Sequence, residues 1–274
     1  MGESQSALQM ARWRSEEEIR DTPGVMVASD QKLEWLLPWW WYHYRKHNST
    51  PVVFADFGMS ATAAQWCRQR GMLIDLTAPL DFLVPQDKIA PELAQRWQAL
   101  FHNKEFWNVR RMCLKKPFAM IQSPFSHTLW TDLDCEVRGS VYPLFETCDD
   151  EIGFSIAPQP DFALKNYLKQ GLLQPGEKTY NAGVIAFRYQ SPVMLKWTQA
   201  VIEKNACFPG DSDLLADLIR TEKIDVFELP QIYNWRMAQG PNPDAIIVHW
   251  VADWGKQHIL EEMKMLPLEN FNPS

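Results

Sequence analysis

The stretch SHTLWTDLDCEVRG, from Ser126 to Gly139, places two carboxylates directly after an apolar run. The run reaches Thr131, and Asp132 and Asp134 follow with a single residue between them. In an extended strand, side chains two residues apart point to the same face, and their Cα atoms are about 6.6 Å apart. The two carboxylates can therefore converge on one small ligand at the end of a buried strand.

Two carboxylates that lie this close repel each other, and the repulsion would push one of them toward protonation. A hard divalent cation removes the repulsion, because carboxylate oxygens are suitable ligands for Mg²⁺ and Mn²⁺. A strand end with two solvated aspartates fits the same spacing. The rest of the sequence has to distinguish these two interpretations.

Most of the chain alternates short apolar runs with amphipathic segments. Three buried strands are predicted at 24–30, 51–58 and 72–76, with helices between them, which indicates parallel βαβ units. Further strands are predicted at 152–158, 181–188, 224–230 and 245–251, and further helices at 92–102, 105–125, 140–146, 191–206 and 210–223. Because neither a repeat nor a low-complexity linker interrupts the sequence, one domain at 23–274 is expected after a polar leader at 1–22.

Aspartates close several of the predicted strands. Asp30, Asp56 and Asp75 end the first three, and Asp132 and Asp134 end the strand of the opening stretch. In open α/β sheets, ligands bind beyond the carboxyl ends of the strands. These carboxylates are therefore expected to line the ligand-binding edge of the sheet.

A helix rich in tryptophan is predicted after the first strand. Apolar residues recur with helical spacing over 33–44, and two members of the triple tryptophan, Trp40 and Trp41, fall on the apolar face. Core packing is therefore favoured for this run over a membrane belt or a carbohydrate platform. Pro38 is expected to kink the helix or to mark its start.

The composition narrows the class of partners. Asp and Glu (34) outnumber Lys and Arg (27), and the net charge of −7 argues against general binding to nucleic acids or acidic membranes. Five scattered cysteines, none in C-x-x-C spacing, argue against a disulfide framework or a zinc site. With no segment of the roughly 20 apolar residues that span a bilayer and no signal-peptide pattern, a cytoplasmic protein is expected. The N-terminal MGESQS fits the short myristoylation pattern, which would add peripheral membrane attachment.

Several segments, in the same order, resemble motifs of the retaining family 8 glycosyltransferases. LWTDLDCEV resembles the D-x-D metal motif of nucleotide-sugar-dependent enzymes, VMVASD the family's first strand, and KKPFAMIQSPF the helix before D-x-D. YNAGVIAFR is similar to the N-[AS]-G strand, GDSDLL to the D-Q-D helix start, and LPQIYNW and IIVHWVADWGK to the last two motifs. The resemblance spans Val25 to Lys256 and implies an α/β GT-A (nucleotide-diphospho-sugar transferase) fold, with a Rossmann-like mixed central sheet flanked by helices.

The resemblance also implies a metal site. Asp132, Asp134 and His249 would hold Mn²⁺ or Mg²⁺, which polarises the departing diphosphate of the donor. Lys256 would add a positive charge near the phosphates. Taken alone, His249 fits a satisfied core histidine and Lys256 an ordinary surface lysine.

The first strand would bind the nucleotide. The resemblance implies that Ala28, Ser29 and Asp30 receive the base and the ribose, since small side chains let a ring approach and a carboxylate accepts hydrogen bonds. A small-small-acid strand end is common in α/β proteins, so this expectation depends on the resemblance.

A basic run precedes the opening strand. Lys116 matches a basic residue of the family that contacts the donor sugar. The rest of the run, with Arg110, Arg111 and Lys115, is expected to form a solvated face. Pro117 is expected to interrupt the helix predicted there.

The donor sugar would be positioned by two further motifs. Asn181 and Gly183 match the N-[AS]-G motif, in which glycine permits close approach and asparagine offers a donor and an acceptor. Asp211 and Asp213 match the acids of the D-Q-D helix start, where Asp211 could equally be a helix N-cap. Ser212 stands where the family usually has glutamine, so the group beside the anomeric carbon is left open.

The resulting hypothesis is a metal-dependent glycosyltransferase that moves a sugar from a nucleotide-sugar donor, a UDP-sugar, to a glycan, lipid-linked or protein hydroxyl acceptor. Retention of configuration is implied by the resemblance. One alternative is a HAD-like phosphatase, but those enzymes have Thr or Val where this chain has Glu136. A nucleotidyltransferase would need a glycine-rich loop after the first strand, which ASDQKLEW lacks. A non-catalytic carbohydrate-binding or scaffold protein would suit the 13 tryptophans but would not need the acids and the late histidine.

Overall fold

The computed structural model describes residues 14–79, 81–101, 105–148, 151–169 and 171–268. The strands in this part of the chain are β1 (Arg20–Ser29), β2 (Val52–Asp56), β3 (Met72–Asp75), β4 (Phe125–Thr131), β5 (Cys135–Val137), β6 (Phe154–Pro158), β7 (Tyr180–Arg188), β8 (Phe227–Glu228), β9 (Trp235–Arg236) and β10 (Ile247–His249). The α-helices are α1 (Leu37–His47), α2 (Ala61–Arg68), α3 (Pro91–Phe101), α4 (Phe106–Met120), α5 (Asp161–Lys169), α6 (Pro192–Lys204), α7 (Asp211–Thr221) and α8 (Ala252–Met263). Residues 1–13 of the predicted leader lie outside the described residues, and β1 begins within the leader, at Arg20.

A seven-stranded sheet with the order β3-β2-β1-β4-β7-β6-β8 forms the centre of the molecule. Strands β1 to β4 are parallel to one another, whereas β7 is antiparallel to both β4 and β6. The parts of the parallel strands that lie toward their carboxyl ends are mostly apolar, because both faces of the sheet are covered there. The predicted α/β fold with a mixed central sheet is confirmed.

Helices pack on both faces of this sheet. On one face, α4, α6 and α7 contribute Phe118, Trp197 and Leu214 to the core. On the other face, α1 and α2 contribute Trp40 and Trp66 to a second core that also includes the small sheet described below. The sheet is therefore the middle of three layers, and its polar edge is the carboxyl end of β1 to β4.

The triple tryptophan packs in the core, as predicted, but with a different pair on the inner face. Trp39 and Trp40 are fully buried, whereas Trp41 is half-buried against the Trp66 ring. The α-helix begins at Leu37, after a 3-10 turn, and Pro38 lies in its first turn. The residues before Pro38 form a 3-10 helix, which has fewer residues per turn than an α-helix. Their apolar face is therefore rotated relative to that of the α-helix, and a different pair of tryptophans is buried.

Helix α4 continues through Pro117, so the predicted interruption is wrong. Proline removes one backbone donor from a helix interior. Here Leu114 and Phe118 are fully buried on either side of it, and the Ile121 N–H still donates to the carbonyl of Pro117. Core packing therefore holds the last turn of the helix in place.

Two predicted elements differ in kind or length. The helix predicted at 140–146 is a 3-10 helix, Tyr142–Thr147, and the strand predicted at 224–230 is reduced to the two residues of β8. No helix among the described residues combines the length and the apolar character that a membrane span requires.

A second sheet has three short strands in the order β5-β10-β9. Strand β10 is antiparallel to β5, with His249 opposite Cys135, and parallel to β9, with His249 opposite Arg236. Because β5 starts directly after the Asp132–Asp134 turn, this pairing carries the end of β10 to the carboxyl edge of the main sheet.

Candidate active site

Asp132 and Asp134 lie at the carboxyl end of β4 and face His249. Asp132 is fixed by its own N–H, which donates to the carbonyl of Gly183 in β7 at 2.8 Å. The Nε2 atom of His249 is 3.2 Å from Asp134 Oδ1 and 3.9 Å from Asp132 Oδ2. The structure thus brings the three predicted metal ligands together, as the end of β4 and the end of β10 meet.

Asn234, which the sequence analysis left without a role, fixes the tautomer of His249. Its amide nitrogen lies 3.2 Å from the backbone carbonyl of Asn181 and 2.9 Å from Asn181 Oδ1. A carbonyl can only accept, so the Asn234 nitrogen is the donor and its Oδ1 faces His249 Nδ1, at 2.9 Å. His249 Nδ1 therefore carries a proton, and Nε2 points toward Asp134.

The imidazole and the Asp134 carboxylate need a shared cation. In neutral His249 with the proton on Nδ1, the Nε2 lone pair faces a carboxylate oxygen without a donor between them. Either a proton on Nε2 or a metal ion satisfies both groups. Ligands that sit at right angles about 2.1 Å from a divalent ion are about 3 Å apart, so the 3.2 Å separation admits such an ion.

Gly183 makes room for the histidine. A Cβ atom at this position would lie 2.1 Å from His249 Cε1 and 2.8 Å from Asn181 Oδ1. Both distances are shorter than van der Waals contact, so a larger residue would displace the ring from Asp134. The motif implied that Gly183 lets a ligand approach the backbone closely. In the structure, the group that approaches Gly183 is the His249 ring.

Lysines neutralise part of the acidic charge. The Nζ atom of Lys256, from α8, is 3.2 Å from Asp134 Oδ2. Burial opposes ionisation of Asp134, but its interactions with the Lys256 ammonium and with the His249 imidazole outweigh burial and hold the pKa of this carboxyl well below its usual range. The Asp134 carboxylate is therefore ionised at neutral pH and available to a metal ion.

Lys116 is buried in the centre of the site, with 5% of its surface exposed. Its ammonium contacts Asp132 Oδ1 at 3.0 Å, Asp211 Oδ2 at 2.8 Å and the carbonyl of Ala182 at 2.9 Å. Burial would lower the pKa of Lys116, but the two carboxylates hold it well above its usual value. Three acceptors use the three N–H donors of the ammonium, so Lys116 joins α4, β4, β7 and α7.

The start of α7 carries the second pair of acids. Asp211 is bound to Lys116, and the Ser212 hydroxyl accepts a hydrogen bond from the Ala182 N–H at 3.1 Å. Ser212, which stands in the place of the family's glutamine, thus ties α7 to β7. The hydroxyl of Tyr167 in α5 donates a hydrogen bond to Asp213.

The nucleotide-binding residues predicted on β1 lie beside this cluster. Ser29 is buried, and its hydroxyl donates to the carbonyl of Asp30 at 3.0 Å. Asp30 Oδ1 accepts from the N–H groups of Lys32 and Leu33, at 3.1 and 3.0 Å, which closes the turn into α1. Ala28 is half-buried. Because β1 pairs with β4, these residues adjoin Asp132 at the same sheet edge.

The basic run of α4 is not a uniformly solvated face, so that prediction is wrong for part of it. Arg110 is 1% exposed; its guanidinium donates to the carbonyls of Asn205 and Phe208 and lies against the Trp97 ring. These acceptors are far away in the sequence, which is why the pattern of charges did not indicate burial. Arg111 is exposed, in agreement with the prediction.

The balance of charge favours a divalent cation. The three carboxylates of Asp132, Asp134 and Asp211 share the two ammonium groups of Lys116 and Lys256. The cluster therefore has an excess of negative charge. Two carboxylates and an imidazole nitrogen form a ligand set that divalent transition metals accept.

Asp213 should make stability fall as the pH rises. Burial and the neighbouring Asp211 raise the pKa of Asp213 to about 7. The folded protein then holds a proton that the unfolded chain loses near pH 4, so stability decreases between about pH 4 and pH 7. We expect Asp213→Asn to raise the melting temperature by several degrees more at pH 8 than at pH 4, measured by scanning calorimetry.

Asp225→Asn provides the control, because Asp225 is exposed just beyond α7. This variant should show the same pH dependence as the wild-type protein. An Asp213→Asn variant whose stabilisation is independent of pH would show that Asp213 is already ionised in the folded protein.

Comparisons with known proteins identify the fold. The sequence matches no protein-family model and no curated protein. The structure is similar to that of a galactosyltransferase, LgtC, solved in complex with donor and acceptor sugar analogues, with a TM-score of 0.56 and 18% identity over 90% of this chain and 97% of that chain. It is also similar to the glycosyltransferase GlyE of Streptococcus pneumoniae TIGR4, with a TM-score of 0.54 and 18% identity over 85% of this chain and 55% of that chain.

A third similar structure is the bifunctional glycosyltransferase WbbM, with a TM-score of 0.54 and 11% identity. It covers 88% of this chain, which spans 47% of WbbM. The similarity thus extends over most of this chain in each case. The chain has the fold of the GT-A glycosyltransferases, as the motifs of its sequence implied.

Proposed function

We propose that the chain is a metal-dependent glycosyltransferase, which transfers a sugar from a UDP-sugar to a hydroxyl acceptor with retention of configuration. The observation that carries the proposal is the convergence of Asp132, Asp134 and His249 at the carboxyl edge of a GT-A sheet. Retention and the UDP moiety are inherited from the resemblance to the retaining family. The acceptor would be a hydroxyl of a glycan, a lipid-linked sugar or a protein.

The three ligands would hold Mn²⁺ or Mg²⁺. Such an ion would neutralise the negative charge that builds on the departing diphosphate. The imidazole nitrogen of His249 favours Mn²⁺, because Mg²⁺ prefers oxygen ligands. Asn234 supports this role, since its Oδ1 accepts the proton on Nδ1 and leaves Nε2 aimed at Asp134.

The two lysines would act differently. Lys256 has a flexible stem and lies near the rim of the site, with 29% of its side chain exposed. It can leave Asp134 for a phosphate once a divalent ion occupies the ligands. Lys116 is held by its three partners, so its main contribution is to fix Asp132 and Asp211, and its contact with the donor sugar remains a prediction.

The remaining residues would bind the donor. Asn181, Asp211 and Asp213 would accept hydrogen bonds from sugar hydroxyls or donate hydrogen bonds to them. Because its pKa is raised to about 7, Asp213 would accept a hydrogen bond as a carboxylate or donate one as a carboxylic acid near neutral pH. Ala28, Ser29 and Asp30 would receive the base and the ribose; Asp30 Oδ1 already closes a turn, so Oδ2 is the oxygen for a ribose hydroxyl.

Titration calorimetry with UDP tests the proposal. We expect UDP to bind in the presence of Mn²⁺ and the binding to weaken about tenfold or more when EDTA removes the metal. Release of UDP from UDP-glucose, UDP-galactose or UDP-N-acetylglucosamine would then identify the donor. A folded protein that binds neither UDP nor GDP with Mn²⁺ would contradict the proposal, and metal-dependent hydrolysis of p-nitrophenyl phosphate would favour a phosphatase instead.

A further inference from the structure

Arg236 lies beside the candidate active site, on β9. Its Cα atom pairs with that of His249 in the small sheet. Asn234, two residues earlier, holds the His249 ring and the Asn181 backbone. The same strand pairing that positions the histidine therefore positions Arg236.

Two neighbours orient the guanidinium of Arg236. Its Nη1 atom donates to Gln159 Oε1 at 2.8 Å, and its central carbon lies 5.0 Å from the centroid of the Phe162 ring. Gln159 is itself 5% exposed, at the end of β6. A guanidinium held in this way is preorganised, because little side-chain freedom remains to be lost when it binds an acceptor.

The charge of Arg236 lacks a counterion in the described part of the chain. No carboxylate of these residues forms an ion pair with it, and burial lowers its pKa, which Tyr167 offsets in part. Its Nε–H is buried and has no acceptor among the described residues. Arg236 as a whole is half-buried, but a buried donor without an acceptor, such as its Nε–H, is costly. An anionic acceptor would complete this environment.

A tyrosine connects Arg236 with the proposed sugar-binding acids. Tyr167 is hydrogen-bonded to Asp213 and interacts electrostatically with Arg236. Asp213 in turn interacts with Asp211. Tyr167 of α5 therefore interacts both with Arg236 of β9 and with Asp213 of α7.

We propose that Arg236, oriented by Gln159 and Phe162, binds an acidic group of the sugar substrate. The inference rests on the proposed function, since it names the class of sugar that the same site would take. A planar carboxylate, as in a uronic acid, and a phosphate ester both match the fork of a guanidinium. The acidic group belongs either to the transferred sugar or to the acceptor, and these two sources can be separated by experiment.

The test compares acidic and neutral sugars that are otherwise alike. In the donor arm, calorimetry with Mn²⁺ measures the affinities of UDP-glucuronate and UDP-glucose. In the acceptor arm, saturation-transfer NMR on the protein with Mn²⁺ and UDP measures binding of glucuronate and glucose 6-phosphate against glucose. In at least one arm, we expect the acidic sugar to bind about tenfold more tightly than its neutral counterpart. A hydrogen bond to a charged group contributes enough binding free energy for a difference of this size or more.

Arg236→Gln should reduce that preference to less than about twofold and leave the affinity for UDP unchanged. Arg236→Lys keeps the charge without the fork and should retain part of the preference. Arg220→Gln is the matched control, because Arg220 is already paired with Asp217 on α7 and should not affect the preference. Melting curves of each variant establish that it is folded.

Three results would overturn the inference. The wild-type protein could show no acidic preference in either arm, or the preference could persist in Arg236→Gln. Alternatively, Arg236→Gln could weaken binding of UDP itself, which would assign Arg236 to the diphosphate. Failure of the proposed function is a separate result, since the wild-type protein would then not bind UDP with Mn²⁺ at all.

Discussion

Asp134→Asn should abolish metal-dependent binding of UDP. Asparagine keeps the size of the side chain but removes the charge that faces both His249 Nε2 and Lys256 Nζ, each at 3.2 Å. Removing an outer-sphere partner of a metal ligand already costs about 10–100-fold in affinity, so loss of a ligand should cost about 100-fold or more. Calorimetric titration with UDP and Mn²⁺ measures the effect, and direct titration with Mn²⁺ locates it at the metal.

Asp75→Asn is the matched control for this variant. Asp75 ends β3 at the same edge of the sheet but is exposed, and two strands, β2 and β1, lie between β3 and β4. Its replacement should change the affinity for UDP and Mn²⁺ by less than about twofold. If Asp134→Asn, still folded, bound UDP with Mn²⁺ as the wild-type protein does, Asp134 would not be a metal ligand and its charge would serve only to hold Lys256.

Much of the fold can be predicted from the sequence because the parallel half of the sheet has a local signature. The second half of β1, most of β2 and most of β3 are apolar runs that end in small or acidic residues, since both faces are covered there and the carboxyl ends meet solvent. The direction of β7 has no such signature. It pairs with β4 in the antiparallel sense, which depends on contacts between distant parts of the chain.

The two prolines show how packing decides between local alternatives. Pro38 and Pro117 each follow residues with helical periodicity, and local sequence alone predicts a break at either. Pro38 falls in the first turn of α1, where a missing donor costs nothing. Pro117 lies three residues before the end of α4, within a segment that the core holds on every side.

Only part of the candidate site can be predicted from the sequence, because contacts between distant parts of the chain place the rest. Asp132 and Asp134 are evident because they directly follow an apolar run with one residue between them, although a turn after β4, and not an extended strand, brings them together. The place of His249 depends on its pairing with Cys135, and that of Asn234 on hydrogen bonds to β7, neither of which leaves a local pattern. A single asparagine before a short strand is common in turns, so the motif resemblance was the only signal for it.

Lys116→Met should have the largest effect on stability. The ammonium is 5% exposed and separates the carboxylates of Asp132 and Asp211, at 3.0 and 2.8 Å. Methionine fills a similar volume but leaves the buried Asp211 carboxylate and the half-buried Asp132 carboxylate without this cation. Breaking a buried ion pair in this way costs about 3–5 kcal/mol. For a chain of this size we expect the melting temperature at pH 7 to fall by about 10 °C, measured by scanning calorimetry.

Lys115→Met is the matched control, because it makes the same change one residue earlier in α4, at a lysine that does not contact these two carboxylates. Lys115 is half-buried and donates to the carbonyl of Phe57 at 3.1 Å, so Lys115→Met should cost about 1 kcal/mol. Mn²⁺ should restore part of the stability lost in Lys116→Met, because a divalent ion beside Asp132 replaces the missing cation. Equal stability of the two variants would show that Lys116 is not needed to hold the acids together. If Lys116→Met lost much stability and Mn²⁺ did not restore it, the loss would come from the unpaired Asp211 at the start of α7 rather than from the metal ligand Asp132.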